Sequence, residues 1–412
     1  MKQNNEHHCD FCGKSKQDVE KLIVSDQSAI CNDCIDLCVD ILKDEKVKKF
    51  PIDETKSVYN PSKIKDYLDE YIIGQDEAKI ALSVAVCQHF KRINHPNKDI
   101  DLEKTNVLML GPTGCGKTFL ARKLADYLEI PFAICDATGL TEAGYVGDDV
   151  ESVLVRLLAS ADGDVEKAQR GIVYIDEIDK ISRKGESTSI TRDVSGEGVQ
   201  QALLKMVEGT ISRVPASDKR KSPRGDIIEI DTRGILFICG GAFVGLDKII
   251  EKRKNTGTSI GFNSKVNAKD DSALNYSDVI TKDLITYGMI PEFVGRFGII
   301  TSVEELSTEQ LVKILKEPKN SLTRQYQYMF DIDGINLDFD DEAFSAIAEK
   351  SKSLKTNARG LKNILEKILL PYQFDAINLV ERGLSKIIIS KSAVEGNAAK
   401  LIFDKTNDKK LS

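Results

Sequence analysis

The chain has no tryptophan, and aromatic residues make up only 6% of its 412 positions, so no row of stacking platforms for single-stranded nucleic acid is evident. A basic surplus is missing too. The formal charge is −7 and the pI about 5.4, which argues against a nucleic-acid grip over the whole surface, though not against a local basic patch. No apolar run approaches the roughly 18 residues of a membrane span. Met1 to His8 lack the apolar core of a signal peptide. The expected location is therefore cytoplasmic, and there the nine cysteines are not expected to form structural disulfides. Peptidase machinery is also lacking. There is no H-E-x-x-H motif, a G-x-S-x-G nucleophile elbow is not expected, and none of His7, His8, His89 and His95 has the context of a triad partner. Repeats and low-complexity tracts are absent, and the length suits two or three domains.

What is present starts with Gly111-Pro112-Thr113-Gly114-Cys115-Gly116-Lys117-Thr118, which fits the P-loop pattern G-x-x-x-x-G-K-[ST]. Val107 to Leu110 before it reads as a buried parallel strand. Thr118 to Leu124 after it has helical periodicity, so a helix N-terminus adds its positive end to a phosphate cradle. Lys117 is placed to reach the β- and γ-phosphates and Thr118 to bind Mg²⁺. Cys115 offers mainly its backbone N–H, and its thiol is a candidate for oxidation beside the nucleotide. Downstream, Ile172-Val173-Tyr174-Ile175 runs into Asp176-Glu177. Asp176 is the candidate to hold Mg²⁺, and Glu177 the candidate base that orients the attacking water. A helix around Val150 to Ser160 lies between the motifs, as a βαβ sheet requires.

Near the N-terminus, Cys9-x2-Cys12 and Cys31-x2-Cys34 are separated by residues 13–30, within the spacing of a four-cysteine zinc site. Such a site is closed and structural, and a segment this short needs the metal to hold it. Cys38, one turn after Cys34, is expected in the core.

The organisation expected is a zinc module over 1–48, a charged linker over 49–60, a large ATPase domain over 61–303, a small lid over 304–405 and a frayed tail over 406–412. Pro61 to Arg92 reads as helical. It is interrupted at Tyr71-Ile72-Ile73-Gly74-Gln75, an apolar turn that either covers an adenine face or is a plain helix–helix elbow. Phe132 to Cys135, Ile172 to Ile175 and Ile235 to Cys239 are strand candidates of a doubly wound parallel sheet. The stretch Lys219 to Arg224 is a basic loop. Lys252 to Asp271 reads as a long flexible loop, and from Thr308 the pattern becomes helical with one or two short strands, among them Leu384 to Ser390.

In combination, the four-cysteine module, GPTGCGKT, IDEIDK and Gly144-Tyr145-Val146-Gly147 resemble the ClpX family, the AAA+ unfoldase subunits of Clp proteases. The resemblance runs from Cys9 to about Phe403. It implies an α/β AAA+ P-loop ATPase with a small α+β C-terminal lid domain and an N-terminal treble-clef-like zinc module. ATP, Mg²⁺ and structural Zn²⁺ are the implied cofactors.

Position by position, the resemblance makes Gly111 to Thr118 the ATP loop, with Ile72 and Ile73 beside the base. Tyr145 and Val146 become a first pore loop that grips polypeptide, and Arg220 and Lys221 a second. There Ser222 departs from the family's usual histidine. Arg296, in Pro291 to Arg296, becomes an arginine finger supplied to a neighbouring subunit, which implies a homohexamer. Arg359, in Ala358-Arg359-Gly360-Leu361, becomes a sensor on the lid, while a polar first sensor is not evident near Cys239. Ile260-Gly261-Phe262 becomes the docking tripeptide for the ClpP peptidase, several such loops adding avidity. Implied partners are ClpP, unfolded or tagged proteins and adaptors captured by a dimerising zinc module. Neither a membrane nor nucleic acid is expected. The competing expectation is a nucleic-acid-translocating AAA+ motor, which also combines a zinc module with a P-loop.

Overall fold

In the computed structural model the described residues are 8–25, 28–39, 59–97, 99–100, 102–141, 148–183, 196–215, 227–256 and 276–403. The chain divides into two units, Met1–Val58 and Tyr59–Ser412.

In the first unit, β1 (Leu22–Val24) pairs antiparallel with β2 (Ala29–Cys31), and residues 32–39 are helical. Cys9, Cys31 and Cys34 form its buried centre, with Val19, Leu22 and Ile30 packed against them. Three thiols and three half-buried aliphatics cannot stabilise a fold by burial alone, so the cysteines must do more than pack. Cys38, expected in the core, lies half-exposed. Beyond Cys34, residues 35–39 of this helix are all half-buried or exposed.

The second unit opens with α1 (Pro61–Asp69). Asn60 caps it by accepting the Ser62 N–H, and proline takes the first helical position. The chain breaks at residues 70–75 and restarts as α2 (Asp76–Asn94). There follow β3 (Val107–Leu110), α3 (Lys117–Leu128), β4 (Phe132–Asp136), the short parallel pair β5 (Leu140–Thr141) and β6 (Asp148–Asp149), α4 (Ser152–Ser160), α5 (Val165–Ala168) and β7 (Ile172–Asp176). Next come α6 (Glu197–Glu208), the antiparallel hairpin β8 (Ile211–Pro215) and β9 (Ile227–Asp231), β10 (Leu236–Gly241), α7 (Leu246–Thr256), α8 (Thr281–Tyr287), α9 (Pro291–Val294) and β11 (Ile299–Ser302).

Five of these strands form one parallel sheet in the order β11-β3-β10-β7-β4. The inner strands are apolar throughout because both faces are covered. Alternate side chains go to opposite cores. Val107, Met109, Ile172, Tyr174, Leu236 and Ile238 pack with α1, α2 and α3. Leu108, Leu110, Val173, Ile175, Phe237 and Cys239 pack with α4 and α6 on the other side. All three central strands therefore end at the same edge as the loop after β3, where ligands bind in open α/β sheets.

Beyond β11 a separate core organises α10 (Thr308–Lys316), α11 (Leu322–Ile332), β12 (Asn336–Phe339), α12 (Asp341–Ser353), α13 (Asn357–Phe374), α14 (Ala376–Glu381), β13 (Leu384–Ile389), α15 (Lys391–Val394) and β14 (Lys400–Phe403). This small α+β body has three strands rather than one or two, in the order β12-β13-β14. Of the three only β13 is named from the sequence; of the two that flank it, β14 is largely exposed at the sheet edge and carries no apolar alternation to announce it.

Candidate active site

β3 stops at Leu110, residues 111–116 form the loop, and α3 starts at Lys117 with Gly116 left-handed at its cap (φ 98°). The free N–H groups of the first turn of α3 open onto this loop and favour an anion there. Lys117 is buried. Its Nζ donates to the carbonyls of Gly111 (2.7 Å) and Pro112 (3.0 Å). Burial pushes its ammonium below the ordinary lysine value, and Asp176 pulls it partly back. A buried ammonium with only carbonyl acceptors in hand suits a phosphate, whose charge would offset the lost hydration.

Asp176 at the tip of β7 meets α3. Thr118 Oγ1 donates to Asp176 Oδ2 at 2.8 Å across a separation of 58 residues. The Glu177 N–H donates to Oδ1 at 3.0 Å. A hydroxyl and a carboxylate brought together at a phosphate cradle are the hard oxygen donors that Mg²⁺ takes. Glu177 sits in the left-handed region (φ 54°) with its side chain exposed at the strand end. Strain of this kind in a non-glycine residue costs of order 1–3 kcal/mol and is typical of functional positions. Asp179, buried just beyond, accepts the Ala242 N–H at 3.0 Å and ties the exit of β10 to that of β7.

Cys115 is buried, and burial pushes its thiol up to about 11. It is therefore a protonated, inaccessible thiol at neutral pH rather than an oxidation site.

The lid reaches the loop through residues that sequence reasoning passed over. Asn357 is buried, takes a left-handed backbone (φ 49°) and donates from Nδ2 to the Thr113 carbonyl at 3.2 Å. Thr356 lies so close that a Cβ on Gly114 would sit 2.8 Å from its carbonyl oxygen, and Gly114 also has φ +84°. Arg359 is exposed, with its Cβ 3.7 Å from that same point. A Thr-Asn pair ahead of Ala358-Arg359-Gly360 was the available signal, since asparagine tolerates left-handed geometry at helix starts. Gly360 allows the approach of α12: a Cβ there would fall 1.9 Å from Thr356 Oγ1 and 2.7 Å from Ser351 Oγ.

Other expected positions are less direct. Ile72 is buried in the core beside α2, its carbonyl accepting Lys79 Nζ at 2.6 Å, while Ile73 is half-buried. Arg296 is exposed and ion-paired with Glu208 on α6. Cys239 is fully buried and cannot serve as a polar sensor. Tyr145, Val146, Arg220, Lys221, Ser222, Ile260, Gly261, Phe262 and His7 lie outside the described residues. The letters G-x-S-x-G do occur, at Gly257 to Gly261, but they follow helix α7 rather than a strand, which is not the setting of a nucleophile elbow.

In the first unit one Sγ from each of Cys9, Cys12, Cys31 and Cys34 lies within 4.8 Å of the others, Cys12 and Cys31 being 3.6 Å apart. Zinc–thiolate bonds of about 2.3 Å in a tetrahedron space the sulfurs at roughly 3.8 Å, so the four fit zinc. Burial opposes ionisation of Cys9, but N–H groups of Cys12, Cys31 and Phe11 outweigh it and draw the thiol down to about 6. Contacts with Cys12, and then burial, push Cys34 upward. Four thiolates this close require a cation among them.

A P-loop, a strand-end Asp-Glu pair and a helical lid seated on the loop define an ATPase of the AAA+ class. Residues 102–300 match the AAA domain (Cdc48 subfamily), residues 7–44 the ClpX C4-type zinc finger, and residues 306–393 the C-terminal D2-small domain of ClpB protein. The ATP-dependent Clp protease ATP-binding subunit ClpX of Treponema denticola is 49% identical over 398 residues, 95% of each chain. The protein of the same name from Borrelia duttonii is 50% identical over 393 residues, 94% of this chain and 90% of the relative. The chain belongs to the ClpX family. It is an ATPase whose cofactors are ATP, Mg²⁺ and zinc. Among the described residues no helix is long and apolar enough to cross a membrane.

Proposed function

We propose that the chain is the ATP-driven unfoldase and translocase subunit of a Clp protease, which selects proteins, unfolds them and threads them into a separate ClpP peptidase. What carries this reading is likeness to ClpX relatives over nearly the whole length, together with the Thr118–Asp176 contact beside Lys117. Lys117 and the loop N–H groups hold the phosphates. Thr118 and Asp176 orient around Mg²⁺, which when bound neutralises charge on the transferred phosphoryl group. Glu177 takes the proton of the attacking water.

The assembly is a homohexamer in the cytoplasm, with Arg296 entering the site of a neighbouring subunit once its pairing with Glu208 is exchanged. Arg359 reports nucleotide state to the lid, and Ile72 and Ile73 border the base. Tyr145 and Val146 grip the threaded chain, with Arg220 and Lys221 in a second loop. Ile260-Gly261-Phe262 docks on ClpP, and the zinc module over 1–48 dimerises and captures substrates or adaptors. The domain limits are those of the sequence reading: linker 49–60, ATPase 61–303, lid 304–405 and tail 406–412. Neither the matched families nor the named relatives support a nucleic-acid motor.

The test is the fluorescence of a stably folded, tagged reporter mixed with this chain, ClpP and Mg²⁺-ATP, with Glu177→Gln as control. Loss of signal is expected with the wild type and ATP alone. ATPase activity that leaves the reporter intact, but rises with DNA or RNA, would overturn the unfoldase reading.

A further inference from the structure

The central strand β10 ends without a polar side chain: Cys239 is fully buried, and Gly240 and Gly241 complete the strand. The space over Gly240 is filled from the neighbouring strand. A Cβ there would lie 2.0 Å from Tyr174 Oη and 2.8 Å from its Cζ. Tyr174 is fully buried on β7, two positions before Asp176 and so on the same face of the sheet. Its hydroxyl donates to Asp176 Oδ1 at 3.3 Å, while Thr118 donates to Oδ2. Each carboxylate oxygen thus carries one side-chain hydroxyl, and Oδ1 also carries the Glu177 N–H.

An apolar ring would fill this part of the core as well as a phenol does, since Met109, Ile238 and Leu120 share the cluster. A phenol buried there costs free energy unless its hydroxyl is hydrogen-bonded, and it is bonded to the acid at the strand tip. Glycine at 240 is what leaves room for that contact.

We propose that Tyr174 is a positioning residue for the magnesium-bearing carboxylate: its hydroxyl, seated in the space Gly240 leaves, fixes the rotation of Asp176 and stands where β10 supplies no polar side chain. This rests on Asp176 holding Mg²⁺.

The experiment is binding of a fluorescent ADP analogue to the full-length chain, with Mg²⁺ and with EDTA, for wild type, Tyr174→Phe, Gly240→Ala and Asp176→Asn, with thermal midpoints in parallel. Tyr174→Phe is expected to keep the wild-type midpoint and EDTA affinity but to lose about tenfold of the affinity that Mg²⁺ adds, the low end of the scale of one hydrogen bond to a charged group. Gly240→Ala, which crowds the hydroxyl off Asp176, is expected to move the same way. A full Mg²⁺ gain in Tyr174→Phe, or an equal loss with and without Mg²⁺, overturns the proposal. If Asp176→Asn abolishes the gain while Tyr174→Phe retains it, only the role of Tyr174 falls. If both retain it, Asp176 is not the magnesium carboxylate, and the proposal falls with that reading.

Discussion

The side-chain amide of Gln75 holds the backbone of Glu304 at both ends. Its Oε1 accepts the Glu304 N–H at 2.8 Å and its Nε2 donates to the Glu304 carbonyl at 2.9 Å, across 229 positions of sequence. Gln75 is itself left-handed (φ 61°) and nearly buried between α1 and α2, while Glu304 lies where the parallel sheet gives way to the lid. This one side chain therefore pins the start of the lid to the helical entry of the ATPase domain.

Gln75→Ala removes both bonds and strands two backbone groups. A loss of about 1–3 kcal/mol is expected. Hydrogen exchange should show it as faster exchange at 304–306, with the core strands β3 and β10 unchanged. Unaltered protection there would mean that the lid is held by packing alone.

Glu177→Gln keeps the shape of the side chain and removes its basicity. ATP hydrolysis should fall on the order of a hundredfold or more while nucleotide affinity is retained. A variant with wild-type turnover would remove Glu177 from the role of base.

Gly114→Ala tests the seat of the lid on the loop. The new methyl meets the Thr356 carbonyl at 2.8 Å in a backbone conformation that alanine rarely takes. Nucleotide affinity should drop about tenfold or more, and Asn357→Ala, which removes a single neutral hydrogen bond, should lower it by roughly two- to tenfold. Titration of a fluorescent nucleotide distinguishes the two. If Asn357→Ala proved the more damaging, the contact to Thr113 rather than the close approach would be the stronger link.

The parts of this site legible in the sequence were those where local chemistry dictates local structure. Apolar runs such as Val107–Leu110 and Ile172–Asp176 must be buried on both faces, and glycines followed by Lys117 and Thr118 announce an anion cradle. The break at 71–75 was legible for the same reason, since glycine stops a helix and Asp76 and Glu77 start one. What stayed hidden depends on pairs distant in sequence. Nothing near Gln75 points to Glu304, nothing near Gly240 points to Tyr174, and Asn357 looks like any helix-start asparagine until Thr113 is beside it. Strand β14 escaped because an exposed edge needs no apolar pattern.

Zinc removal should act on the first unit and spare the nucleotide site, whose residues all belong to the second. With a strong chelator, or with Cys34→Ser, hydrogen exchange over residues 9–34 should rise to that of an unfolded chain, while nucleotide binding at the P-loop persists. Retained protection after complete loss of zinc would show that the small cysteine centre folds without metal.

The last prediction concerns pH. His89 on α2 is buried. Its Nε2 donates to the Gly234 carbonyl at 3.0 Å, and its Nδ1 has no hydrogen-bond partner. Arg92 donates to the Arg233 carbonyl and Lys104 to that of Thr232, so three successive carbonyls of one turn are held by three basic side chains. Burial, followed by the charges of Arg92 and Lys104, pushes His89 from 6.5 down to about 3. A value lowered by folding means that the unfolded chain binds the extra proton first. The contribution of His89 is therefore fully present above about pH 6.5 and drains away as pH falls toward 3, reaching on the order of 3 kcal/mol by pH 4. Other groups also titrate in this window, so the measurement is a difference: urea midpoints of wild type and His89→Gln at pH 7 and at pH 4.5. The glutamine can still donate to Gly234 but takes up no proton, so the wild type should lose more stability than the variant between the two pH values. Equal losses would mean that His89 is already protonated in the fold or that the turn opens before it titrates, and either would place the acid sensitivity of this domain elsewhere.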